Sequence, residues 1–360
     1  MSAAGEPSAR RPRPRPDLVA LGGGYHSAQV DVDVRLNTNE SPFPPPDGFF
    51  DALADLARTM PLHRYPDRDA IALREAIASL HGVAPSNVFC ANGSNEVIQT
   101  VLLTYGGHGR RALVFEPTYA LHRHIAGQTG TNVVVGDRDD AFELPLGDLE
   151  RLSADADVTF LCSPNNPTSV AERPEAVEVA LGATGGLVVV DEAYGQFASW
   201  SAQQFLDDDA PLVVLRTFSK TWAMAGVRLG YLLGPPWLVE ELWRNVLPYH
   251  LSTPAQAAGV LALGFEREMR ERVGLLVAER ERVASRLADL PVRSWPAQAN
   301  FLLLRPDDRR GTDVWQALVD RSVLVRDCSS WPRLADCLCV TVGTPKENDS
   351  FLNALEEALR

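Results

Sequence analysis

Two hydrophobic periods alternate along residues 68–220. "RDAIALREAIASLHG" (68–82) puts apolar residues at helical spacing and stops on a glycine, which predicts a helix. "NVFCANGSNEVIQTVLLTYG" (87–106) reads as a short strand, a tight turn and a helix. "RALVFEP" (111–117) is a strand, "TYALHRHIAGQTG" (118–130) a helix and "NVVVG" (132–136) another strand. "ADVTFLC" (156–162) runs into a Pro/Asn loop, "SPNNPTS". "GGLVVVDEAYGQF" (185–197) and "LVVLRTFSK" (212–220) are buried-type strands ending in polar residues. Short Val/Leu-rich runs alternating with helices imply an α/β fold, a mostly parallel mixed sheet flanked by helices.

After residue 235 the pattern is helical through 289, with a break at "LPYHLSTPAQAA" (247–258). "ANFLLLRP", the helix "GTDVWQALVDRS", the strands "VLVRDC" and "CLCVTVG" and a last helix, "KENDSFLNALEEALR", predict a smaller α/β unit. The expected organisation is an extended Arg/Pro tail over 1–17, a segment 18–45 packing with the small unit, a large domain over 46–275 and a small C-terminal domain over 276–360.

Composition narrows the class. The 360 residues are 45% hydrophobic and 22% charged, with 34 Lys and Arg against 47 Asp and Glu, a net charge of −13. That acidity argues against nucleic acid or an anionic membrane as the main partner, although the basic tail keeps a nucleic-acid arm as a minor alternative. No apolar run approaches a membrane span, and the N-terminus has no apolar core of a secretory signal. Five cysteines without a CxxC pair predict reduced thiols and a cytoplasmic setting. Neither "CLC" (337–339) nor "HRH" (122–124) has further ligands nearby for a metal, and "HRH" reads as a solvated helix face.

Polar residues punctuate the carboxyl ends of the predicted strands, where ligands of open α/β sheets collect. "NGSNE" (92–96) opens a helix whose free N–H groups suit a phosphate. Tyr119 offers an aromatic face, Asp191 a buried acid, and "TFSK" two hydroxyls and Lys220, with Arg228 eight residues on. Burial and a nearby cation lower a lysine pKa and free its lone pair. A phosphate, an aromatic ring with a protonated nitrogen and an aldehyde together describe pyridoxal 5′-phosphate.

"RYPD" (64–67), "NGSNE", "SPNNPT", "DEAYGQF", "RTFSKTWAMAGVRLGY" and "LPYHLS" follow "LNTNESPFPPP" (36–46) in the order of a known family. Over this span the chain resembles the fold-type I pyridoxal-phosphate aminotransferases of class I/II, and within them most closely the histidinol-phosphate aminotransferases. The resemblance implies Lys220 as Schiff-base lysine and proton shuttle, Asp191 on the pyridine nitrogen, Tyr194 and Asn166 on the ring hydroxyl, and Tyr119 stacked on the ring. It implies Ser94, Asn95, Thr217, Ser219 and Arg228 on the cofactor phosphate, with Tyr65 reaching the phosphate of a neighbouring subunit in a homodimer of shared active sites. Tyr25, Asn39 and Arg326 are the implied substrate contacts, with Glu40 lining the pocket. An amino donor and a 2-oxo acid acceptor, best matched by histidinol phosphate and 2-oxoglutarate, are the implied substrates.

One position departs from the family. Where a second anion-gripping arginine stands in a motif like L-R-x-T-V-G-T, this chain has "LCVTVGT" with Cys339, and a thiol cannot supply a charged bidentate fork. Three accounts stay open: Arg333 of "SSWPRLAD" swings in, the substrate lacks a second anion, or the reaction is altered, as in the related decarboxylases of phosphorylated amino acids. A non-catalytic binding protein is the alternative from another class, and intact Lys220 and Asp191 argue against it.

Overall fold

The valine- and leucine-rich runs form the inner strands of a seven-stranded sheet in the computed structural model, which describes residues 12–21 and 28–360. In chain order the strands are β1 (Val34–Leu36), β2 (Val88–Ala91), β3 (Arg111–Glu116), β4 (Asn132–Asp137), β5 (Val158–Cys162), β6 (Leu187–Asp191), β7 (Leu212–Thr217), β8 (Gly230–Leu233), β9 (Val292–Ser294), β10 (Phe301–Pro306), β11 (Val323–Asp327) and β12 (Leu338–Thr341). The large sheet has the order β2-β8-β7-β6-β5-β3-β4. Only β8 runs against its neighbours; the β3–β4, β3–β5, β5–β6 and β6–β7 pairs are parallel.

Successive side chains of a strand point to opposite faces, and both faces here are covered. Val189, Val213 and Leu215 enter one apolar core with Phe89, Val97 and Leu242, while Val188, Val190 and Val214 enter another with Leu149, Val177 and Ala180. This is why β5, β6 and β7 lack polar alternation. Each fully buried Val or Leu contributes about 1.5–3 kcal/mol, so these strands form the centre of the large core.

The carboxyl ends of β2, β3, β5, β6 and β7 share one rim, and β8 starts there, because Gly230 pairs with both Ala91 and Thr217. That rim carries the site.

A second sheet has the order β1-β11-β12-β10-β9, with β1 and β11 parallel and the rest antiparallel. Its core includes Phe301, Leu303, Val325, Val340 and Phe351. The helix Glu266–Leu287 links the two regions, with Met269 in a core beside the large sheet and Leu276, Val283 and Leu287 in that of the small one. The expected boundary at 275/276 falls inside this helix.

The structure departs from the sequence reading in four places. Pro16–Ala20, expected to be extended tail at its first two residues, is a five-residue helix, and Leu21 packs on Gly127 of the large-sheet region rather than on the small unit. The segment "LGYLLG" contains strand β8, and Val292–Ser294 adds the edge strand β9. The expected helical break covers only 246–252, since Ser252 caps a helix over Thr253–Leu263 by accepting from Ala255 N–H.

Candidate active site

Turns at the large-sheet rim build the floor of a cavity of about 400 Å³. After β2, Gly93 adopts φ +81°, and a Cβ there would stand 2.7 Å from Arg228 Nη2. Only a bare Cα lets the arginine approach and starts the helix Ser94–Tyr105, whose first N–H groups face out of the turn. Gly230 is equally constrained, because a Cβ there would strike Ser94 N. Arg228 is itself left-handed, at φ 57°, and its Nη1 donates to Ala225 O at 3.0 Å and Ser219 Oγ at 3.4 Å. Thr217 Oγ1 donates to Ser219 Oγ at 3.0 Å. One guanidinium, two hydroxyls and a helix start therefore meet at one end of the cavity, a donor set suited to an anion.

Asp191 ends β6 and is buried. Its Oδ1 accepts from Ala193 N at 3.0 Å and its Oδ2 from His122 Nε2 at 2.9 Å. His122 is fully buried, stacked on Phe160 at 4.6 Å, and its Nδ1 has no hydrogen-bond partner among the described residues. The reading of "HRH" as a solvated helix face is thus wrong for His122. It lies on the buried stripe of its helix with Ile125 and Ala126, at spacings of three and four residues, and that spacing is the signal that could have found it. The neighbouring acid, Glu192, points elsewhere and pairs with Arg216 at 2.6 Å beneath the rim.

Lys220 follows β7, and its Nζ donates to Thr38 O at 3.1 Å and lies 5.5 Å from the Tyr194 ring centroid. Burial, with help from Arg228 and against the pull of Glu40, lowers its pKa from 10.5 to about 8. Tyr194 OH accepts from Asn39 Nδ2 at 3.3 Å and Asn166 Nδ2 at 3.5 Å, and burial raises its pKa. Tyr119 OH donates to Asn95 Oδ1 at 3.0 Å.

The small sheet supplies the far wall. Asn39, at φ 54°, donates its N–H to Thr341 Oγ1 at 2.9 Å and accepts from the same hydroxyl through Oδ1 at 3.0 Å. Arg326 and Cys339 are register partners on β11 and β12, and both line the cavity. Burial pushes the Cys339 thiol up to about 12, so it is a small neutral group. Arg333 does not line the cavity; it faces Asp137 at 3.7 Å and Asp140 at 3.6 Å. The account in which it replaces the missing arginine does not fit this arrangement.

The cavity thus brings together Ser94, Asn95, Tyr119, Asn166, Asp191, Tyr194, Thr217, Ser219, Lys220, Arg228, Asn39, Glu40 and Arg326. Tyr65 is not among its lining residues; it is 81% exposed and stacks on Tyr249 at 4.7 Å. Tyr25 lies outside the described residues. Cys162 and Trp331 line the cavity without having been singled out as site contacts from sequence, and Cys339 lines it at the position where the family's second arginine is missing.

The profile of the family "Aminotransferase class I and II" matches residues 31–355. The chain belongs to the class I and II aminotransferases. This aminotransferase is 45% identical to a histidinol-phosphate aminotransferase of Frankia casuarinae, over 93% of the chain and 87% of the relative. It is 40% identical to one from Mycobacterium marinum, over 96% and 94%. Among solved structures, histidinol-phosphate aminotransferase from Sinorhizobium meliloti in complex with pyridoxal-5′-phosphate superimposes with a TM-score of 0.83 at 22% identity, covering 91% of each chain. That likeness shows that the aminotransferase fold is shared.

Proposed function

We propose that this pyridoxal-phosphate-dependent aminotransferase moves the amino group of histidinol phosphate to 2-oxoglutarate and works as a homodimer. The carrying observation is that a lysine of lowered pKa, a buried carboxylate and a phosphate-type donor set line one cavity. The donor set is complementary to pyridoxal phosphate: Ser94 and Asn95 N–H groups, Thr217, Ser219 and Arg228 would hold its phosphate, Asp191 its ring nitrogen, Asn166 and Tyr194 its ring hydroxyl, and Tyr119 its ring face. The cofactor supplies an aldehyde that condenses with amines and a protonated ring that draws electrons from the adjacent carbon.

The chain's own residues do the rest. Asp191, an acceptor held by His122 and Ala193 N–H, keeps a proton on the heterocycle. Lys220 Nζ would take the proton from the amine-bearing substrate carbon, and a pKa near 8 suits it both to accept and to pass on a proton at near-neutral pH. Arg326 binds the substrate's anion. Asn39, fixed by Thr341, orients the Tyr194 hydroxyl. The names of the nearly full-length relatives support histidinol phosphate as substrate.

The exposed Tyr65–Tyr249 stack, flanked by exposed Leu62 and Leu247, supports an apolar face that a second copy covers. Tyr65 would then complete the partner's phosphate site. Five buried free cysteines support a cytoplasmic setting.

The test is turnover. Holoenzyme given histidinol phosphate and 2-oxoglutarate produces glutamate, and Lys220→Ala loses this while keeping its fold by circular dichroism. Turnover of another amine, with none of histidinol phosphate, discards the substrate and keeps the reaction type.

A further inference from the structure

The loop 328–337 carries an aromatic side chain that the reaction described above does not use. It is a tightly hydrogen-bonded turn: Cys328 N–H donates to Cys337 O at 3.0 Å, Trp331 N–H to Cys328 O at 2.9 Å and Leu334 N–H to Trp331 O at 3.1 Å. Fully buried Leu334 anchors it in the small-domain core. The main chain at Trp331 is therefore held by the turn.

Its ring centroid lies 5.5 Å from Arg326 Cζ, within the range of a cation–π contact. Both residues line the active-site cavity. Trp331 and Tyr119 also line an adjoining groove of about 220 Å³ with Pro117, Arg123 and Pro332. The two aromatics are thus common to the linings of the cavity and the groove. Across the sheet from Arg326 stands neutral Cys339, so no second guanidinium comes from that position. Of this register pair Arg326 alone carries a guanidinium, whose planar fork grips an anion in a defined orientation.

We propose that Trp331 is a positioning and specificity residue that stacks on Arg326, fixes its guanidinium toward a phosphate-type anion and closes the cavity on the groove side. The proposal rests on the reading of the cavity as a site for an anionic substrate. A face that is apolar beside the anion favours substrates whose remaining body is planar and aromatic over aliphatic ones of equal charge.

Calorimetric titration of the holoenzyme with inorganic phosphate tests this without turnover. Arg326→Gln defines the signal that belongs to this site. Trp331→Ala weakens that binding by about tenfold, the scale of a partly desolvated cation–π contact, and Trp331→Phe restores most of it. In parallel, the loss in kcat/KM for histidinol phosphate in Trp331→Ala resides in KM with kcat unchanged, whereas misplacement of the reacting groups would lower kcat. Unchanged phosphate affinity in Trp331→Ala overturns the proposal, as does wild-type phosphate binding that is absent or insensitive to Arg326→Gln. Wild-type protein that binds phosphate through Arg326 but does not turn over histidinol phosphate removes the substrate assignment and leaves this inference standing.

Discussion

Lys220 is the residue whose chemistry is most exposed to a simple measurement. Its ammonium form is disfavoured by burial, so the proton leaves near pH 8 instead of 10.5. A depressed lysine pKa means that the neutral, condensing amine is scarce below pH 8 and abundant above it. The rate at which apo-protein takes up pyridoxal phosphate should therefore rise with pH through a midpoint near 8 and level off above about 9. A rise still continuing toward 10.5 would show an ordinary solvated lysine. Gly93 makes a second prediction. Gly93→Ala adds a Cβ at φ +81° and 2.7 Å from Arg228 Nη2. It should cost about 1–3 kcal/mol of stability and weaken cofactor binding by tenfold or more, read by melting temperature and fluorescence titration. His122→Phe keeps a ring against Phe160 but deletes a donor to Asp191. Loss of that charge-assisted bond, on the order of 1.5–3 kcal/mol, should lower kcat by roughly ten- to a hundredfold in steady-state assays. Lys220, Asp191 and Arg228 were legible because each is an unusual residue at a strand end. His122 was not read, because a histidine among polar neighbours looks solvated until its place on a helical stripe is counted.

At the scale of elements, the parallel strands were legible for a physical reason: β5, β6 and β7 bury both faces, so they cannot carry polar alternation. β8 was missed because Gly230 opens it, and the need for that glycine comes from Ser94, distant in sequence and invisible to local pattern. β9 has three residues and an exposed arginine, too little pattern to identify. The loop 328–337 gives a comparison between two arginines. Arg333 faces exposed Asp137 and Asp140 at 3.7 and 3.6 Å, a kind of surface pairing that contributes about 0–1 kcal/mol. Arg333→Ala should leave KM for the phosphorylated amine unchanged. Arg326→Gln should raise it by roughly 30-fold or more, the loss typical of a buried charge-assisted contact. A comparable rise in KM in Arg333→Ala would reinstate Arg333 as a substrate ligand.

At the scale of the molecule, the acidic chain carries an exposed apolar patch of Leu62, Tyr65, Leu247 and Tyr249. If that patch is a subunit interface, a charge placed in it meets a low-dielectric contact twice in a symmetric dimer. Leu247→Asp should shift the sedimentation coefficient from dimer to monomer and reduce activity per chain, since Tyr65 could no longer serve a neighbour. A monomeric wild type with full activity would contradict the shared site. The whole-molecule arrangement also joins distant parts of the chain. Asn39 is clasped by Thr341 across 302 residues, and Thr38 O receives the Lys220 amine. Ribosomal synthesis delivers Asn39 early and Thr341 late, while domains tend to fold as they emerge. The large sheet can assemble around Lys220 before β12 exists, leaving the Tyr194 hydroxyl unsupported by an anchored Asn39. Nascent chains at that stage would be folded in part yet chemically idle, and the competent enzyme appears only once its late strand closes over the early loop.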